Sequence, residues 1–110
     1  MSKLEIIKAA KELISDPERW IQGANARNEQ GLMVLAYAFD AVCWCADGAL
    51  IKACGSVNTI PFWRLISDKP AFDVIEFNDN HTHAEVIALF DAAIARLELN
   101  QNLSLPQKEK

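Results

Sequence analysis

The chain carries three cysteines, Cys43, Cys45 and Cys54, and two histidines, His81 and His83. These residue types serve two chemistries, zinc ligation and thiol catalysis. Zinc takes Cys or His ligands that usually arrive as C-x₂₋₄-C or H-x₃₋₅-H pairs. Neither spacing occurs. Cys43 and Cys45 stand two apart, which on a helix separates them by about 200°. No metal and no cofactor is therefore expected. A thiol nucleophile needs a nearby base and a lowered pKa. Cys45 reads as an inert core thiol. Cys43 and Cys54 would share one flank of a helix, beside Asp47, whose charge raises a thiol pKa. A small thiol-dependent enzyme using Cys43 or Cys54 with His81 or His83 is the alternative reading, and no catalytic residue is assigned. Asp40 and Asp47 lie two helical turns apart, too far to share a proton. Asp73 with Glu76, and Asp79 with Glu85, offer acids without an evident cleft. All read as solvated charges, and Asn78-Asp79 reads as a turn before the last helix.

The elements that must position these groups come from a short chain. At 110 residues it makes one domain, and a 51% hydrophobic fraction is enough to bury a core. The net charge of −4 and the scattered Arg19, Arg27, Arg64 and Arg96 disfavour nucleic acid as a partner. Three cysteines do not make a disulfide framework. Gly31–Cys54 is long enough for a membrane span but includes Asp40, Asp47 and Lys52. Each would cost roughly 2.5–3.5 kcal/mol at a bilayer centre, so no membrane is expected. The N-terminus has no apolar secretory segment, and a cytoplasmic location with reduced thiols is expected.

Capping chemistry punctuates the chain. Ser2 and Glu5 form a capping-box pattern, so a first helix should span Ser2 to about Ile14. Asp16-Pro17 restarts a short turn that carries Trp20 and Ile21 inward. Gly23–Gly31 reads as a loop. Leu32–Leu35 reads as a short strand or the start of a long helix, which should run from about Ala38 to Cys54 and stop at Gly55. Wound as a helix, that segment has an Ala-rich face for the first and last helices. A second apolar stripe holds Trp44, Gly48 and Ile51, to be covered by Pro61–Ile66 or by a partner. Pro61–Ile66 reads as a short helix, and Phe72–Phe77 as a brief strand or extended loop. Thr82 and Glu85 form a second capping box ahead of a last helix from His83 to about Leu97. The expected fold is mainly α: four or five helices around a buried central helix, with room for one short β element and α+β as the alternative. Residues 1–99 should form the domain and 100–110 a flexible polar tail.

Trp20, Gly23, Gly31, Ala41, the run Trp44-Cys45-Ala46-Asp47-Gly48-Ala49-Leu50, then Phe77-Asn78-Asp79, Thr82, Glu85-Val86, Phe90-Asp91 and Ala93-Ile94 form an ordered pattern. It resembles a family of small uncharacterised proteins of bacteria and their phages, with a Trp-Cys-x-x-Gly-Ala-Leu central helix. The Cys43-Trp44-Cys45 triplet departs from that pattern. The resemblance implies no activity. It points to phage or prophage origin.

Two functions follow as expectations. The first is a non-catalytic protein-binding module with an unidentified protein partner, whose contact residues would be Trp44, Gly48 and Ile51. Its most specific form is a phage-encoded inhibitor of a host enzyme or defence complex. The second is the thiol enzyme above.

Overall fold

The computed structural model describes residues 1–104, with side chains described as far as Gln101. Helix α1 spans Lys3–Leu13. Ser2 caps it: its hydroxyl accepts from the Glu5 amide at 3.1 Å, and the Glu5 carboxylate accepts from the Ser2 amide at 3.0 Å. A 3₁₀ turn at Pro17–Arg19 follows, with the Asp16 carboxylate accepting from the Glu18 amide. Strand β1 is Ala26–Arg27 and strand β2 is Cys43–Trp44; they pair antiparallel, Ala26 opposite Trp44 and Arg27 opposite Cys43. Helix α2 is Ala46–Cys54, and it ends at Gly55, whose φ of 75° is the left-handed conformation that glycine adopts without steric cost. Helices α3 at Ile60–Ile66, α4 at Val74–Asn80 and α5 at His83–Ser104 complete the described chain. The fold is mainly α with one small sheet, as the sequence indicates.

Several expected elements differ. The helix expected from Ala38 begins only at Ala46. Residues 38–45 instead follow a turn closed by the Ala41 amide on the Ala38 carbonyl, then pair with β1. Long-range hydrogen bonds to Asn25 and Arg27 outcompete local helix here, since the Val42 amide donates to Arg27 and the Cys45 amide to Asn25. The Gly23–Gly31 loop accordingly contains a strand. Phe72–Phe77 is not a strand: Asp73 accepts from the Glu76 amide and caps α4, so the alternation is the start of a helix. Asn78, Asp79 and Asn80 form the last turn of α4. The last helix runs past Leu97 to Ser104, and the rest of the expected tail lies outside the described residues.

Helix α1 lies between α2 and α5, α3 packs on α5, and α4 touches both α2 and α5. Ile7, Ala10 and Ile14 meet Ala49 and Leu50 of α2 and Val86 and Phe90 of α5 in one core. The second capping box forms as read: the Glu85 amide donates to the Thr82 hydroxyl and the Thr82 amide to the Glu85 carboxylate. The Thr82 backbone N–H bonded to it holds the Glu85 carboxyl below its usual range. Lys8–Glu98 and Lys11–Asp91 pair across α1 and α5, and the Arg96 guanidinium donates to the Leu65 carbonyl at 2.6 Å. The two ion pairs are partly solvated and contribute about 0–1 kcal/mol each.

Candidate functional site

The three residues expected to meet a partner lie inside the molecule. Trp44 sits on β2, not on a helix, and is buried; its indole N–H donates to the Ala36 carbonyl at 2.8 Å. Gly48 is packed against the Asn25 backbone, and Ile51 is buried in the core. The stripe dissolves because its helix starts two residues after Trp44. What covers these residues is the chain itself.

The thiols are placed just as differently from their helical reading. Cys43 is on β2 and its Sγ lies 3.7 Å from the Arg27 carbonyl. Cys54 is half-buried, its sulfur 3.3 Å from the Ser56 carbonyl. Cys45 is the N-cap of α2, where its sulfur accepts from the Gly48 amide at 3.3 Å. A helix N-terminus ordinarily lowers a thiol pKa. Here burial wins, with the Asp47 charge adding to it, and the Cys45 thiol is pushed up to about 11. The histidines serve the fold. A ring nitrogen facing a carbonyl must carry the proton, so His83 donates through Nε2 to Ile14 at 2.7 Å and His81 through Nδ1 to Phe77 at 2.8 Å. His81 also stacks on the Phe77 ring at 3.7 Å. None of these bonds joins a sulfur to an imidazole. Native-state thiol labelling at neutral pH should modify Cys54 first and reach Cys43 and Cys45 only on denaturation. Rapid native labelling of Cys45 would show that its burial is not maintained in solution.

The acids and Asn78 build a polar frame. Asp47, expected to be solvated, is buried and accepts from the Thr59 hydroxyl and from the Trp63 indole at 2.8 Å. Asp40 is half-buried, and the Asn28 amide donates to it at 3.3 Å. Asn78 is fully buried and gathers Trp20, Ile21, Ala46 and Asp79. Asp79 also accepts from the Gly23 amide, and Gln22 donates to the carbonyls of Asn78 and His81. Among the described residues no group of three or more His, Cys, Asp or Glu is placed to hold a metal ion. Every buried side-chain nitrogen and oxygen among them has a partner.

What the fold leaves uncovered is apolar. Leu32, Met33, Leu35, Tyr37, Phe39 and Val42 are 40–100% exposed, with Phe39 wholly so. All six lie on one loop between β1 and β2, and its backbone is pinned at several points. The Val34 amide donates to the Ala26 carbonyl at 3.1 Å, and Met33 bridges antiparallel to Arg27. The buried Ala36 holds the Trp44 indole, Asp40 holds Asn28, and the Val42 amide returns to Arg27. Small and polar residues anchor the loop while its large apolar side chains face water. Large apolar side chains this exposed within one loop make it the candidate contact surface. Two open grooves, about 600 and 450 Å³, flank Lys69–Asp73 on the other side of the fold's sequence. Their walls mix Arg64 and Lys69 with Asp68 and Asp73, and none of the three thiols lines them.

Residues 1–96 match a family model, so the residues that carry the sequence resemblance all fall within the match. The chain belongs to the family of unknown function DUF6197. The DUF6197 match takes in the Asn78 frame, the small sheet and the whole apolar loop. No curated protein and no solved structure matches the chain. Among the described residues no helix is long and apolar enough to cross a membrane.

Composition alone hides the apolar loop, because apolar residues ordinarily imply burial and Leu32–Leu35 reads as a short strand or the start of a helix. A signal was present. From Gly31 to Val42 only Asp40 is charged, yet the apolar residues follow neither a helical nor a strand period into the core.

Proposed function

We propose that this chain is a non-catalytic protein-binding module whose contact surface is the Leu32–Val42 loop. The observation that carries this reading is the full exposure of Phe39 among five other exposed large apolar side chains on a pinned backbone. Exposed aromatic residues are the usual anchors of protein interfaces, and a backbone fixed in advance lowers the entropy lost on binding. Cys43 and Cys54, whose sulfurs face the carbonyls of Arg27 and Ser56, and histidines that each bond a backbone carbonyl give the thiol-enzyme reading no comparable support. The narrower form, a phage-encoded inhibitor, rests on small size, acidity and the sequence resemblance.

The test compares wild type with Phe39→Asp as bait in lysate of the source cell. Phe39 touches nothing it must hold, so the variant should keep its melting temperature, with a stability change of about 0.5 kcal/mol or less. Proteins retained by wild type should be lost from the variant. An identical set of retained proteins on both baits would remove the loop from the interaction and overturn the reading.

A further inference from the structure

The loop begins with one bridged residue, Met33, whose outer side has no neighbour among the described residues. The Asn28 amide donates to the Leu32 carbonyl and the Val34 amide to the Ala26 carbonyl, so residues 32 and 34 spend these groups on the 26–28 side. Met33 stands between them, in antiparallel bridge with Arg27, whose own carbonyl is taken by Val42 on the opposite side. In an antiparallel ladder this alternation turns the Met33 N–H and C=O outward. Among the described residues neither group has a hydrogen-bond partner. Met33 therefore sits as a single bridge on the side of β1 away from β2, with its outer side open.

We infer that this edge and the apolar loop behind it form the interface of a homodimer, so that the occupant of the surface is a second copy of this chain. The inference rests on the reading of the loop as a contact surface and names its partner. Three observations favour a copy over any other protein. First, the edge is complementary to itself: about a twofold axis through Met33, each Met33 N–H meets the other copy's Met33 C=O. Such self-complementary patches are what twofold interfaces require. Second, that register sets Leu32 opposite Val34, so no charge faces a charge, and the pairing stops at Gly31, whose φ of 81° is left-handed. Edges are normally protected by lysine, proline or a bulge, and Leu32-Met33-Val34-Leu35 carries no lysine or proline. Third, there is apolar area to bury: a fully exposed aromatic side chain offers about 150–250 Å² toward the about 800 Å² each partner gives a standard interface, and five more large apolar side chains on the loop are 40–68% exposed. The overall charge of −4 does not oppose the contact, because Asp40 is the single charge between Gly31 and Val42 and is tied to Asn28. The same lack of lysine and arginine on the loop argues against an anionic membrane as the occupant.

The experiment is the molar mass of the full chain by light scattering and sedimentation, from micromolar to several hundred micromolar. Wild type should approach twice its 12.3 kDa. Phe39→Asp should weaken the dimer by at least about thirtyfold, as loss of an interface anchor does. Met33→Pro removes the outward N–H and the exposed Met side chain without breaking a hydrogen bond of the fold, and should also favour the monomer, with its circular dichroism and melting temperature showing that the fold is kept. If Met33→Pro fails to fold, Phe39→Asp decides alone. A wild type that stays monomeric at every concentration overturns the homodimer. So does a dimer that both variants leave intact. In the monomeric case the lysate comparison decides separately whether the loop binds another protein. Wild type that binds neutral phosphatidylcholine vesicles, with Phe39→Asp failing to bind, would overturn both readings in favour of a lipid surface.

Discussion

Asn78→Ala should cost about 4 kcal/mol of stability, enough to unfold much of the protein at moderate temperature, since domains hold only about 5–15 kcal/mol in total. The side chain is 0% exposed. Its Oδ1 accepts from the Trp20 indole at 2.7 Å and from the Ala46 amide at 2.9 Å. Its Nδ2 donates to the Ile21 carbonyl at 3.0 Å and to the Asp79 carboxylate at 3.1 Å. Two donors and two acceptor sites are all that a carboxamide has, and all are used. The Ala46 amide is one of the donors that α2 cannot satisfy within itself, so a residue of α4 completes the start of α2 from 32 positions away. Truncation strands the indole N–H, that amide and the Ile21 carbonyl. Each stranded group costs about 1–3 kcal/mol where water cannot replace the partner. Asn78→Leu keeps most of the volume and should lose nearly as much, which separates the polar loss from a cavity. Chemical denaturation of the two variants checks this. A loss under about 1 kcal/mol in both would show that water enters and satisfies the frame.

The same residue marks what the sequence reveals and what it hides. Caps are local, so Ser2 with Glu5, Asp16 with Pro17, Gly55, and Thr82 with Glu85 read directly as α1, the 3₁₀ turn, the end of α2 and the start of α5, and Pro61 in the first turn marks α3. Asp73 ahead of Glu76 was an equally local signal for α4, hidden by the alternation of Phe72, Val74 and Phe77. The small sheet was not legible, because Cys43-Trp44 is strand only through partners 16 to 18 residues earlier. Treating it as helix produced a stripe of Trp44, Gly48 and Ile51 that the fold never forms. It also concealed the loop. Once residues 32–42 leave the helix, their large side chains have no core to enter. Asn78 and Asp79 were noticed, but a turn reading could not foresee that they hold Trp20 and Gly23 from the far end of the sequence.

Gly48→Ala reverses the sign that helix propensity alone would give. Inside a helix, glycine to alanine is worth roughly 1 kcal/mol in favour of alanine. Gly48 lies in the first turn of α2, and a Cβ there would sit 1.9 Å from the Asn25 carbonyl oxygen and 2.8 Å from its carbon. Those are backbone atoms, so no side chain can swing aside. Nor can Asn25 retreat freely: its carbonyl accepts from the Cys45 amide at 3.2 Å, and β1 begins at the next residue. The loss should be about 3 kcal/mol, at the upper end of overpacking in a tight interior. Gly31→Ala is the control. Nothing lies within 4 Å of its Cβ, and only its φ of 81° resists, a penalty of roughly 1–2 kcal/mol. Thermal unfolding of the two variants ranks them, and a Gly48→Ala protein as stable as wild type would mean that α2 and Asn25 separate easily. The approach also reaches the surface. If Asn25 is pushed away, β1 moves with it, and β1 anchors both Val34 and Val42. Surviving folded Gly48→Ala protein should therefore also show a weakened dimer, although Gly48 itself is buried.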